Sequence, residues 1–100
     1  MEILEKFLAK SPQTASRILE GEAVVVLPKI SEVNILNDAA TRIWELCDGT
    51  KKTSEIIAQI QAEYNADAVQ IKTDSLAFIA KLVDQQMLVI SDDKIEKYDS

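Results

Sequence analysis

Strand-forming and helix-forming patterns occupy different parts of this 100-residue sequence, and the change falls at Leu36-Asn37. From Thr14 to Leu36, β-branched and aliphatic residues dominate, with interruptions at Gly21-Glu22 and Pro28-Lys29. Such runs, divided by glycine and proline, predict short strands. Beyond Asn37, apolar residues recur at helical spacing. The sequence therefore predicts an α+β fold, in which three short antiparallel strands precede three helices and a short final strand.

The second and third predicted strands differ in the faces that they would bury. The second, Ala23 to Leu27, is apolar at every position, so we expect a central strand that is covered on both faces. The third, Ser31 to Leu36, alternates, with Val33 and Ile35 on one face and Glu32 and Asn34 on the other. This pattern is typical of an edge strand, whose free backbone groups are a liability unless they pair with another chain.

Two of the three helices have clear start and stop signals. Asn37 is a favourable N-cap, and we expect the first helix to run to Cys47, where Asp48-Gly49 ends it. Cys47 is interpreted as a small core residue rather than a reactive thiol. Thr53 is expected to cap the second helix, which ends at about Tyr64.

The third helix begins at Asp67, which with Gln70 resembles a capping box. Its apolar residues extend over roughly 200°, whereas a surface helix needs an apolar stripe of only about 100°. Either the sheet and the other helices cover this whole arc, or part of it binds a partner. The segment Leu88 to Ile90 predicts the final strand. The apolar arc contains Val69, Ile71, Leu76, Phe78, Ile79, Ala80, Leu82, Val83 and Met87.

The two ends of the sequence differ from the predicted domain, residues 13–90. Residues 1–12 are expected to form a short amphipathic arm, since Ile3, Leu4, Phe7 and Leu8 follow helical spacing. The arm either covers part of the core or docks on a partner, and residues 91–100 form a polar tail. The acidic N-terminus is unlike a signal peptide, and no apolar run approaches the roughly 20 residues that span a bilayer. We expect a cytoplasmic protein without a membrane span.

Several kinds of chemistry are excluded by composition. Histidine is absent, Cys47 is the only cysteine, and the two glycines stand far apart. These counts exclude histidine-based triads, zinc and iron–sulfur sites built on cysteines, and glycine-rich phosphate loops. We therefore expect no catalytic residue, no metal site, no bound cofactor and no enzymatic activity. A net charge of −6 also argues against nucleic acid as a partner.

The pattern LN-x-x-(G/A)-x-x-I-W-x-L-x-D-G is matched by Leu36-Asn37, Ala40, Ile43-Trp44, Leu46 and Asp48-Gly49. This ordered set resembles the signature of the PqqD family (coenzyme PQQ synthesis protein D). Further matches follow in order at Thr53, Glu55-Ile56, Tyr64, Asp74, Leu76, Phe78-Ile79, Leu82-Val83 and Leu88. The resemblance covers about residues 11–90. The sequence departs from the family at Pro28 to Ser31 and at Met87, where glycine is usual, and at Ser75, where an aliphatic residue is usual.

The resemblance implies a winged helix-turn-helix domain that recognises ribosomally synthesised, post-translationally modified peptides. Such a domain binds the leader segment of the precursor peptide, which adds as a strand beside the third strand and lies against the third helix. A radical S-adenosylmethionine enzyme, or another modifying enzyme, commonly performs the chemistry, and the cofactors belong to that enzyme. The peptide-binding residues expected from this arrangement are Val33, Asn34, Ile35 and Leu36 on the strand and Ile71, Ser75, Phe78 and Leu82 on the helix.

Two other functions remain open at this point. Winged helix-turn-helix domains often place a helix in the major groove of DNA, although the third helix here carries only Lys72 and Lys81 as cations. Alternatively, the chain is a structural subunit that docks on a larger enzyme without touching the peptide. A free edge strand could also pair with its own copy, which would give a homodimer.

Overall fold

The computed structural model of the chain describes residues 3–95. Over that range the chain forms two antiparallel sheets and three α-helices, which confirms the α+β class and the predicted order of elements. Two strands, the first and the fifth, were not predicted. In chain order the elements are β1 (Phe7–Lys10), β2 (Ala15–Leu19), β3 (Glu22–Leu27), β4 (Glu32–Ile35), α1 (Asp38–Leu46), β5 (Asp48–Lys52), α2 (Thr53–Glu63), α3 (Ala68–Asp84) and β6 (Leu88–Ser91).

The three predicted strands form one sheet in the order β2-β3-β4, here called the meander sheet. β3 is central and β4 is an edge, as predicted. Only one face of β3 is fully covered: Ala23, Val25 and Leu27 are buried, whereas Val24 and Val26 are half-buried. The expectation that both faces of β3 are covered is therefore wrong within the described residues, because helices pack on one side of the meander sheet alone.

The alternation in β4 is confirmed, but its apolar face points away from the core. Val33 and Ile35 are 61% and 68% exposed, while Asn34 is half-buried. The Asn34 side-chain amide lies 3.9 Å from the sulfur of Met87, which follows α3. An edge strand that directs its aliphatic residues outward is unusual, since exposed edges normally carry charged residues.

The second sheet has the order β5-β1-β6 and contains the segment that was predicted to be a helical arm. That prediction is wrong: after a 3-10 turn at Ile3–Glu5 the chain enters β1, the central strand of this sheet. Leu8 and Ala9 are completely buried. The partners of β1 lie about 40 and 80 residues away along the chain, so local spacing could not predict the pairing.

β5 has the polar sequence DGTKK and lies between the first two helices, where the sequence predicted only the end of one helix and the cap of the next. Gly49 has a φ of +88°, and a Cβ at this position would come within 2.9 Å of the Ile95 side chain. The amide of Ile95 donates to the Gly49 carbonyl at 2.8 Å. The start of the predicted polar tail thus folds back onto β5, and residues 96–100 of that tail lie outside the described residues.

The helices follow the predicted limits closely. Asn37 caps α1, since its side chain accepts a hydrogen bond from the Ala40 amide at 2.9 Å. Asp67 caps α3, but Gln70 donates to Asp74 rather than completing a capping box. α2 and α3, joined by residues 64–67, are the helix-turn-helix pair of the predicted fold class.

The start of α2 departs from the prediction by one residue. Thr53 is the first residue of the helix and is fully buried, so it does not act as the cap. Its hydroxyl and amide both donate to the Lys6 carbonyl, at 3.2 and 2.9 Å. These two hydrogen bonds connect α2 to the segment that precedes β1.

One core joins both sheets and all three helices. Trp44 is 1% exposed, and its indole N–H donates to the Ser16 hydroxyl at 3.2 Å. Thr41 connects α1 to the meander sheet: its hydroxyl accepts from the Ala23 amide at 2.9 Å and donates to the Leu36 carbonyl at 3.1 Å. These contacts fix the end of β4 relative to the start of α1.

Candidate functional site

A cleft of about 400 Å³ opens between the first turn of α1, the end of α2 and the first half of α3. It begins at Asn37, two residues beyond the end of β4. Ile71, Ser75 and Phe78 lie on one face of α3, because residues four and three positions apart share a helix face. The complete lining is Asn37, Ala39, Ala40, Ile43, Ile60, Tyr64, Ala66, Ile71, Asp74, Ser75 and Phe78.

The eight residues predicted to bind a peptide fall into three groups. Val33, Asn34 and Ile35 form the free edge strand β4, and Ile71, Ser75 and Phe78 line the cleft. Leu36 and Leu82 are only 6% and 3% exposed and belong to the core cluster. Three of the eight thus lie on the strand edge and three line the cleft, and no residue of β4 itself lines the cleft. The remaining two pack beneath this surface, and their role in binding stays a prediction.

Several cleft residues were missed by reasoning from sequence. Ala39 and Ala40, in the first turn of α1, leave the space that the cleft occupies. Tyr64 and Asp74 place polar groups at the rim of the cleft. Both residues match the family pattern, but the sequence predicted no role in binding for them. The pair of alanines that begins two residues after the N-cap is the available signal, because small residues at a helix start permit a close neighbour or a ligand.

Polar contacts hold the rim of the cleft in place. The Tyr64 hydroxyl donates to the Asp38 carboxylate at 3.2 Å. Partial burial and this carboxylate raise the pKa of Tyr64, so the phenol remains protonated at neutral pH. Arg42 of α1 forms two hydrogen bonds to Glu63 of α2, at 2.8 and 2.9 Å. This paired geometry fixes α1 against α2 where the two helices border the cleft.

The titratable side chains of the described residues show no arrangement suited to metal binding. Among residues 3–95, no three His, Cys, Asp or Glu side chains are close enough together to hold a metal ion. Burial raises the pKa of the Cys47 thiol to about 12, and Cys47 does not line the cleft. In the described part of the chain, no helix has the length and apolar character needed to cross a membrane.

The combination of a free strand edge and an apolar cleft is suited to an extended peptide. An edge strand offers backbone donors and acceptors to another strand, and an adjacent cleft accepts side chains of that strand.

Comparison with known protein families gives a match over about two thirds of the chain. A family model described as coenzyme PQQ synthesis protein D (PqqD) matches residues 22–88, from the start of β3 to the start of β6. The chain belongs to the PqqD family.

Two curated relatives of this PqqD family member come from Rhodopseudomonas palustris, and both are named PqqA binding protein. The protein from strain BisB5 is 40% identical over 52 residues, which are 52% of this chain and 51% of the relative. The protein from strain HaA2 is 33% identical over 58 residues, 58% of this chain and 57% of the relative. The chain thus spans about half the length of the curated relatives that it matches.

A solved structure resembles nearly the whole PqqD family member. It is TbiB1 in complex with the TbiA(beta) leader peptide, with a TM-score of 0.72 and 25% sequence identity. The similarity covers 92% of this chain and 99% of that chain. The structural likeness therefore covers more of the chain than residues 22–88, which the family model matches.

Proposed function

We propose that this protein binds the leader segment of a ribosomally made precursor peptide and presents it to a modifying enzyme. The observation that carries the proposal is the free edge of β4 beside an apolar cleft of about 400 Å³. Relatives named PqqA binding protein, and a structural neighbour in complex with a leader peptide, support a peptide as the ligand. In this account the chain itself performs no catalysis.

Strand addition explains how one small domain could bind a peptide firmly. Backbone hydrogen bonds along β4 supply affinity that does not depend on the peptide's sequence, and cleft contacts supply the selectivity. The cleft volume lies in the range of about 300–1,000 Å³ that is usual for ligand sites, which is room for a few side chains. Ile71 and Phe78 give the cleft apolar walls, while Asn37 and Asp74 offer polar contacts at its rim.

The chemical step belongs, in this proposal, to a separate enzyme. A radical S-adenosylmethionine enzyme or another peptide-modifying enzyme would bring its own cofactors and act on the core segment of the precursor. The contribution of this chain is to raise the local concentration of the precursor near that enzyme. Pull-down of a radical S-adenosylmethionine enzyme that modifies such precursors, with and without the precursor, tests this second interaction separately.

The binding step is tested with a synthetic leader segment of PqqA, the peptide in the name of the two Rhodopseudomonas palustris relatives. Calorimetric titration should give saturable binding with one peptide per chain. Ile71→Ala removes apolar contacts from the cleft wall and should weaken binding about tenfold. Leu76→Ala is the matched control, because Leu76 is also half-buried on α3 but does not line the cleft. It should leave the affinity unchanged.

Two outcomes would overturn the proposal. Absence of any binding at peptide concentrations up to the millimolar range would remove the leader as the ligand. Equal weakening by Ile71→Ala and Leu76→Ala, at equal stability in urea, would mean that the peptide binds outside the cleft. Urea unfolding of both variants provides the stability comparison.

A further inference from the structure

The free edge of β4 presents backbone groups from only two residues. In the antiparallel pair β3·β4, Val25 faces Asn34, and the same register places Ala23 opposite Leu36. The Leu36 amide donates to the Ala23 carbonyl at 2.8 Å, so this is a hydrogen-bonded pair. Hydrogen-bonded and non-hydrogen-bonded pairs alternate along an antiparallel ladder, so the backbone of Asn34 is also hydrogen-bonded to β3. The N–H and C=O groups of Val33 and Ile35 therefore point away from β3, towards the free edge.

The same two residues carry the exposed side chains of β4. Val33 lies opposite Val26 and Ile35 lies opposite Val24, so these four side chains share one face of the sheet. Val33 and Ile35 are 61% and 68% exposed, and Val24 and Val26 are half-buried. We call this four-residue surface the outer patch. It is on the opposite face from Asn34 and borders the free edge directly.

We propose that the outer patch is a second recognition surface for the precursor peptide. It binds two apolar side chains of the peptide that are separated by one residue. This inference rests on the proposed function, since it assumes that the peptide adds as a strand to β4. The two apolar residues of the peptide pair with the backbones of Val33 and Ile35 and cover the outer patch. The residue between them faces half-buried Asn34 and is polar.

The placement of side chains follows from sheet geometry alone. Residues directly opposite each other on neighbouring strands point to the same face, so a peptide residue that bonds to Val33 must lie over the outer patch. The next peptide residue points to the other face, where, among residues 3–95, the Asn34 amide has only a sulfur atom at 3.9 Å as a partner. A sulfur is a weak acceptor, and a polar peptide side chain satisfies the amide better.

The free protein gives an independent reason for a ligand on this face. Edge strands usually carry charged residues or proline, which prevent pairing with other chains. β4 instead exposes two β-branched aliphatic residues beside its free backbone groups. Contiguous exposed apolar residues of this kind mark binding surfaces. A peptide strand with apolar residues at positions i and i+2 covers both the backbone groups and the side chains.

The double variant Val33→Thr/Ile35→Thr tests the outer patch, with the same synthetic leader segment as the probe. Threonine keeps β-branching and therefore the strand, but it weakens the apolar cross-strand contacts. The affinity should fall about fivefold to tenfold, from two cross-strand pairs. Ile18→Thr is the matched control, because Ile18 is 47% exposed on β2 but lies opposite Ala23, on the other face of the sheet from the outer patch. Its affinity should equal that of the wild type.

Amide hydrogen exchange in the unaltered protein tests the register without any variant. In the free protein, the amides of Val33 and Ile35 should exchange fast and that of Asn34 slowly. Bound leader segment should protect Val33 and Ile35. A double variant with wild-type affinity, while Ile71→Ala still weakens binding and both amides become protected, overturns this inference alone. Binding that leaves these two amides unprotected removes strand addition to β4 and therefore contradicts both this inference and the proposed binding mode. Complete absence of binding overturns the proposed function as well.

Discussion

Cys47 illustrates how strongly burial determines the chemistry of a single residue. The side chain is fully buried at the end of α1, and burial raises the pKa of its thiol to about 12. The thiolate is the reactive form, so the population that can react at pH 8 is very small. The sequence correctly indicated a core residue, because Cys47 continues the apolar surface of α1.

We predict that the Cys47 thiol is unreactive in the folded protein. A disulfide reagent such as 5,5′-dithiobis(2-nitrobenzoic acid) at pH 8 should modify it only as fast as the chain opens. The same chain in urea, which serves as the control, should react at once. Complete modification of the native protein within seconds would mean that Cys47 is accessible, which the structure contradicts.

The ion pair between Glu63 and Arg42 gives a pH-dependent prediction. The hydrogen bonds that Glu63 accepts from Arg42 and Gln59 lower the pKa of Glu63 from 4.5 to about 2. A lowered pKa in the folded state means that the pair stabilises the fold above pH 4.5 and that this contribution is lost between pH 4.5 and 2. Because the pair is at the surface, the effect is modest.

Thermal unfolding of Glu63→Gln against the wild type measures this contribution. The variant should melt at a lower temperature at pH 7, and the difference should shrink as the pH falls towards 2. Glu20→Gln, an exposed residue in the turn between β2 and β3, is the control. A difference that stays constant from pH 7 to pH 2 would mean that the Glu63 charge does not act through this pair.

At the scale of elements, local sequence patterns predicted the helices and strands whose signals lie among neighbouring residues. The three helices and β2, β3, β4 and β6 follow from periodicity, caps and turn residues within a few positions. β1 and β5 did not follow from them, because Phe7–Lys10 pairs with residues about 40 and 80 positions away. The polar sequence of β5 forms a strand through backbone pairing with β1, which side-chain patterns do not reveal.

The contribution of β1 to the stability of the fold can be measured by substituting Leu8. Leu8→Ala removes a completely buried side chain and should destabilise the protein by about 2–5 kcal/mol. Leu19→Ala, at a half-exposed position on β2, should cost about 0.5 kcal/mol. Urea unfolding followed by Trp44 fluorescence gives both values. Equal values for the two variants would show that residues 7–10 are a peripheral arm rather than a core strand.

At the scale of the whole molecule, the site arises where separate elements meet. The edge character of β4 was predicted from its own segment, and the α3 side chains that line the cleft were expected from the family resemblance. The contributions of Asn37, Tyr64 and Asp74 were not, because the cleft depends on how α1, α2 and α3 pack together. The exposure of Val33 and Ile35 depends on which side of the meander sheet the helices cover, and alternation alone does not decide that.

The overall charge is consistent with the proposed ligand and unfavourable for a nucleic acid. The net charge of −6 repels phosphates, whereas backbone pairing with a peptide needs no cations. β4 is also the edge that a homodimer would use. If such a dimer forms, the leader segment must displace the second copy, so the peptide should convert dimer to monomer.

The most direct test of the account is a half-filtered nuclear Overhauser experiment on the complex of isotope-labelled protein with unlabelled leader segment. This experiment detects protein protons within about 5 Å of the peptide without any variant. We expect contacts from one peptide to Val33 and Ile35 of β4 and, at the same time, to Ile71 and Phe78 of α3. Contacts confined to β2, β6 or the far side of α3 would contradict the account, because the peptide would then bind elsewhere.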